Sequence, residues 1–88
     1  MEEVEVKTNE RLGFYGCNLL VRYARVAQNR NQKLVINMEN TTELTETGCV
    51  ILMRAANNNP YLEFEGVSDE IRKLMDTVGQ VIKEATND

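Results

Sequence analysis

The sequence predicts an α/β fold: a small mixed β-sheet with helices packed on it, in the order β-β-α-β-α-β-α. Three observations carry this expectation. Apolar residues recur at a helical period in three stretches, Gly16 to Asn29, Gly48 to Ala56 and Ile71 to Ala85. Between them stand short β-rich runs, "KLVINM" and "YLEFE". Alternation of strand, helix and strand implies parallel pairing through right-handed crossovers. A chain of 88 residues can bury one core, so one domain is expected over residues 1–88.

In chain order, "EEVEVK" alternates, with Val4 and Val6 on one face and charges on the other, as in a half-buried edge strand. "TNE" is a turn signal. "RLGFY" follows as a short strand with Leu12 and Phe14 on one face, so the chain is expected to open with a β-hairpin. From Gly16 to Asn29, Cys17, Leu20, Val21, Ala24 and Ala27 form an apolar helical stripe. Asn18, Arg22, Arg25 and Asn29 form the opposite, polar one. "NRNQ" ends that helix. "KLVINM" is nearly continuous in apolar residues, the pattern of a central parallel strand covered on both faces.

"ENTTE" reads as a loop and Gly48–Ala56 as a short apolar helix, stopped by "NNNP". In "YLEFE", Leu62 and Phe64 are expected to face the core. Ser68 is a good N-cap, with Asp69 and Glu70 suited to the helix dipole. Ile71, Leu74, Met75, Val78, Val81, Ile82 and Ala85 then make the cleanest apolar stripe in the chain. Gly79 weakens that helix and marks a possible end or bend. "ATND" reads as frayed.

Composition excludes several function classes. The net charge of −4 argues against a nucleic-acid partner, which needs a positive field. No apolar stretch approaches a membrane span and no signal peptide opens the chain, so a cytoplasmic protein without direct membrane insertion is expected. The absence of histidine removes zinc-type His clusters, Ser-His and Cys-His pairs, and phosphohistidine chemistry. No enzyme activity, metal or cofactor is therefore expected. Cys17 and Cys49 have no C-x-x-C spacing and read as small buried hydrophobes in a reducing compartment. Both also stand near expected helix starts, where a dipole lowers a thiol pKa, so a reactive role is the alternative.

The polar knot "TETG" in "ELTETGCVILMRAA" supports two compatible readings. Thr45 is an N-cap candidate, with Glu46 in the first turn and Gly48 permitting close backbone approach. Alternatively, Thr47 accepts a phosphate from a partner kinase, because a helix N-terminus accommodates an anion and the added charge can break an interface. Glu43 and Glu46 would oppose that charge. The stripe of Arg22 and Arg25, extended by Arg30 and Lys33, is either a solvated face or an acidic docking surface.

Three pieces in order, "KLVINMEN", "ELTETGCVILMRAA" and "LEFEGVSDEIRKLMDTVG", resemble the STAS domain family of bacterial anti-sigma-factor antagonists. The resemblance is best from Lys33 to Gly79. Family members carry Asp-Ser-Ser-Gly or Asp-Ser-Thr-Gly before the apolar helix. Thr45 stands where the family has Asp, Glu46 where it has its first Ser, Thr47 at the phosphorylated hydroxyl and Gly48 at the glycine. The acidic residue therefore comes one position late. The resemblance implies a non-enzymatic regulatory domain that binds an anti-sigma kinase-like partner. Thr47 would be its phosphoacceptor candidate, and Glu43, Thr45, Glu46 and Gly48 its switch loop.

The alternative is a STAS-like accessory subunit of an ABC-type lipid transport system, with a transporter ATPase as partner. Some relatives bind nucleotide, but this chain has no Gly-rich phosphate loop. The outline is also similar to phosphocarrier proteins of the sugar phosphotransferase system, whose chemistry needs a histidine absent here.

Overall fold

The structure, a computed structural model, describes residues 1–86. The elements are β1 (Glu2–Lys7), β2 (Arg11–Leu12), α1 (Phe14–Asn29), β3 (Gln32–Asn37), β4 (Glu43–Leu44), α2 (Glu46–Asn58), β5 (Leu62–Glu65) and α3 (Asp69–Thr86). The α/β class and the order of elements are as expected, with β4 added where the "ENTTE" segment ends. No helix among the described residues is long and apolar enough to cross a membrane.

The main sheet is β1-β3-β5, parallel at both junctions. β3 is central, as its apolar run predicts, but the expected cover on both faces is not found: the sheet's second face carries exposed charged side chains. Side-chain alternation sorts the two faces. Val4, Val6, Leu34, Ile36, Leu62 and Phe64 join one core with Leu20, Ala24 and Ala27 of α1, Leu52 of α2, and Ile71 and Met75 of α3. Leu34, Ile36, Met38 and Leu52 are withdrawn from solvent, and burying each stabilises by about 1.5–3 kcal/mol. The other face carries Glu3, Glu5, Lys7, Asn37, Glu63 and Glu65. Val35 lies on that face, between Glu5 and Glu63, yet is buried.

The expected opening hairpin does not form. β2 leaves β1 and pairs in parallel with β4, Arg11 opposite Glu43 and Leu12 opposite Leu44. Phe14 is the first residue of α1 and half exposed, so the helix begins two residues before Gly16. The alternation of Leu12 and Phe14 is real in sequence, but only Leu12 reaches the core. An antiparallel return would have buried Phe14; the second parallel sheet instead turns the chain into a helix.

The α3 stripe divides. Ile71 and Met75 are buried, and Leu74 and Val78 pack on the core, but Val81 is 60% exposed and Ala85 is exposed. Its C-terminal half leaves an apolar cleft of about 500 Å³ against Val50 and Arg54 of α2. Gly79 neither ends nor interrupts the helix. Ala85 and Thr86 are helical, and Asn87 and Asp88 of the expected frayed end lie outside the described residues.

Candidate functional site

In an open parallel sheet the loops after the strands gather at one end, which is where such folds place their binding sites. Here that end holds the starts of α1, α2 and α3. A buried polar knot braces it: the Thr8 and Thr41 hydroxyls hydrogen-bond, the Thr41 hydroxyl donates to the Asn9 carbonyl at 2.6 Å, and the Thr8 amide donates to the Asn37 carbonyl at 3.0 Å. Gly66, with φ of 65°, turns the chain after β5 and packs against Glu39. A β-carbon at 66 would sit 3.0 Å from the Glu39 amide nitrogen, so glycine is required twice over.

The knot of "TETG" begins α2. Thr45 is its N-cap: the Gly48 amide donates to Thr45 Oγ1 at 3.0 Å and the Cys49 amide to the Thr45 carbonyl at 2.9 Å. The Thr45 amide donates to the Leu12 carbonyl at 3.1 Å, which ties the cap to β2. Glu46 is exposed in the first turn, where it meets the positive end of the dipole. Glu43 pairs with Arg11 at 3.1 Å, but both are exposed and the pair contributes little. Thr47 is exposed, and its hydroxyl makes no hydrogen bond among the described residues.

Gly48 is buried and brings two helix starts together. A β-carbon there would lie 2.8 Å from Cys17 Sγ and 3.2 Å from the Gly13 carbonyl carbon. The starts of α1 and α2 are therefore neighbours. α1 begins at Gly13 without a side-chain cap and without an acidic residue in its first turn, so its dipole is left uncompensated there.

Phe14 and Tyr15 also stand at this end. Their rings meet edge to face, 5.3 Å apart at 86°, and Tyr15 is 86% exposed. The sequence reading missed both, because it placed "GFY" in a strand. Two aromatics directly before a helical stripe, off its apolar phase, were the available signal.

Cys17 and Cys49 are both buried and free. The reactive alternative fails. Burial pushes the Cys17 thiol up to about 12, helped by charge repulsion from Cys49, and burial pushes Cys49 up to about 11.

The basic stripe is split. Arg22, Arg25 and Arg30 are exposed on α1 and its end. Lys33 lies instead on the open face of the sheet, 2.7 Å from Glu63 and 3.4 Å from Glu3. The hydrogen bond to Glu63 raises the Lys33 pKa, partial burial opposes the rise, and Glu3 adds to it. No cluster of three or more His, Cys, Asp or Glu able to hold a metal occurs among the described residues.

The chain matches no protein-family model, no curated protein and no solved structure.

Proposed function

We propose that the chain is a non-enzymatic protein–protein regulatory module of the anti-sigma-factor-antagonist kind, with Thr47 as the residue whose phosphorylation controls partner binding. The observation that carries this reading is the division of labour between two threonines two residues apart. Thr45 spends its hydroxyl on the cap, whereas Thr47 is exposed with its hydroxyl free in the first turn of α2. A modification at Thr47 therefore leaves the cap intact. Phe14, half exposed at the neighbouring start of α1, supplies an apolar anchor of the kind interfaces favour. The uncompensated start of α1 beside α2 offsets part of the repulsion from Glu43 and Glu46. A phosphate adds a charge of about −1.5 to −2, enough to disrupt an apolar interface by desolvation. An anti-sigma kinase-like protein is the partner this reading requires.

The test is tandem mass spectrometry of the protein from its native cells, followed by titration calorimetry against the partner it captures. Phosphate at Thr47 is expected. Thr47→Ala should keep both fold and binding, and Thr47→Glu should stay folded but bind much more weakly. Thr45→Ala is the contrast, expected to cost about 1 kcal/mol of stability through the lost cap. An unmodified Thr47, with Thr47→Glu binding as tightly as the wild type, would reduce the knot to a cap.

A further inference from the structure

One long flank of α1 is apolar and uncovered. Tyr15, Leu19, Tyr23 and Val26 are spaced four, four and three residues apart, one stripe of a helix, and are 86, 47, 45 and 49% exposed. By ordinary side-chain areas this leaves a few hundred Å² of apolar surface, the size at which a patch marks an interaction site.

The stripe has a definite direction. α2 packs against α1 on its other flank, where Val21, Ala24 and Gln28 meet Ile51 and Ala55. α2 lies toward β5. The flank facing away from α2 is therefore on the β1 side of the sheet. Among the described residues β1 pairs only with β3, which leaves its outer edge of backbone N–H and C=O groups open. An open strand edge and an uncovered apolar helix flank lie side by side.

We infer that this surface is a homodimer interface, in which β1 pairs antiparallel with β1 of a second copy and the two α1 flanks close over the junction. The symmetry selects the arrangement. A two-fold axis perpendicular to the sheet keeps both helical layers on one side, so the stripes meet; an axis along the strands would put them on opposite sides. The register is selected by side chains. Opposing residues must share a face, so their numbers sum to an even total, and only sums of eight and ten keep five of the six β1 residues paired. A sum of eight sets Glu3 against Glu5 twice. A sum of ten sets Glu3 against Lys7 twice and Val4 against Val6 twice, with Glu5 meeting its own copy on the axis.

The charges of β1 are thus complementary to themselves, with one like-charge contact at the centre. α1 packs chiefly on β3, which sets the two α1 axes two to three strand spacings apart, roughly 10–14 Å. Tyr15 and Tyr23 from both sides have the length to fill that gap. The interface does not depend on Thr47 and is independent of the regulatory reading.

Sedimentation equilibrium tests the inference. Wild type should be dimeric, and Tyr23→Lys monomeric with an unchanged circular dichroism spectrum. Lys7→Glu and Glu3→Lys should each weaken self-association roughly tenfold or more, because each sets like charges opposite one another. Mixed in equal amounts, these two variants should recover the dimer, since both pairs then become Glu against Lys. Glu5→Gln should tighten it. A wild type that stays monomeric at its highest soluble concentration overturns the inference, including the case in which a strand of another protein covers the edge. So does a dimer indifferent to Tyr23→Lys, or one whose mixed charge variants fail to recover.

Discussion

Gly48 of α2 lies against Cys17 of α1 so closely that a β-carbon at 48 would stand 2.8 Å from the Cys17 sulfur. Both residues are buried. The contact brings the starts of the two helices together.

Gly48→Ala is expected to destabilise the protein by about 1–3 kcal/mol through overpacking. Helix propensity alone would predict a gain of up to about 1 kcal/mol, so the sign separates the two effects. Urea unfolding midpoints measure it. In a Cys17→Ala background the cost should shrink without vanishing, because the Gly13 carbonyl carbon would still be 3.2 Å away. A Gly48→Ala protein as stable as the wild type would mean that the helix starts are not in contact.

Gly79 presents the opposite case. It sits inside α3, and a β-carbon there would meet only Met53 Sδ at 3.7 Å, an ordinary contact. Gly79→Ala should therefore stabilise by about 0.5–1 kcal/mol. One residue earlier, Val78→Asp should destabilise by roughly 1–3 kcal/mol, because Val78 packs on the core and a carboxylate there loses water. Arg25→Glu, on an exposed position, should stay within about 0.5 kcal/mol of the wild type. Thermal melts of the three variants decide the matter. Equal melts for Val78→Asp and Arg25→Glu would contradict the packing of α3.

The two thiols predict an alkaline weakness. Each is held neutral in the fold, at about 12 for Cys17 and about 11 for Cys49, against 9.0 for an ordinary thiol. Below pH 9 both states carry the proton and the thiols are neutral to stability. Above it the unfolded chain ionises while the fold does not, so stability falls as pH rises toward 11 and 12. The slope approaches about 1.4 kcal/mol per pH unit for each thiol. Unfolding midpoints from pH 8 upward, compared with those of a Cys17→Ala/Cys49→Ala protein, isolate this part from tyrosine and lysine titration. Parallel pH profiles would show that the thiols ionise freely.

Much of the molecule follows from local pattern. The run of "KLVINM" is apolar on consecutive residues, which marks a central strand, as β3 is, although only one of its faces is covered by helices. Thr45 caps α2 through its own hydroxyl and an amide three residues on, a contact that needs no other part of the chain. Ser68 caps α3 in the same way, accepting from the Ile71 amide at 3.4 Å. These features were legible because their causes lie within a few residues. The position of Thr47 in the first turn of α2 follows from the same cap.

Other features depend on partners distant in the chain. "RL" could join β1 in a hairpin or reach across to Glu43 and Leu44, and nothing within two residues distinguishes these. Tertiary packing chose the second, which released Phe14 into a helix and left it and Tyr15 at the surface. The cysteines look alike under either reading until burial is known, and burial raises both thiols. The apolar period of α3 runs to Ala85, but α2 covers only its first half closely, so Val81 stays exposed. The sequence by itself determined the elements, their caps and their order, because those rest on short-range backbone and side-chain preferences. Only the tertiary structure decided which strand pairs with which, which apolar side chains remain outside, and that the starts of α1 and α2 meet at Gly48, because those are contacts between residues some thirty positions apart.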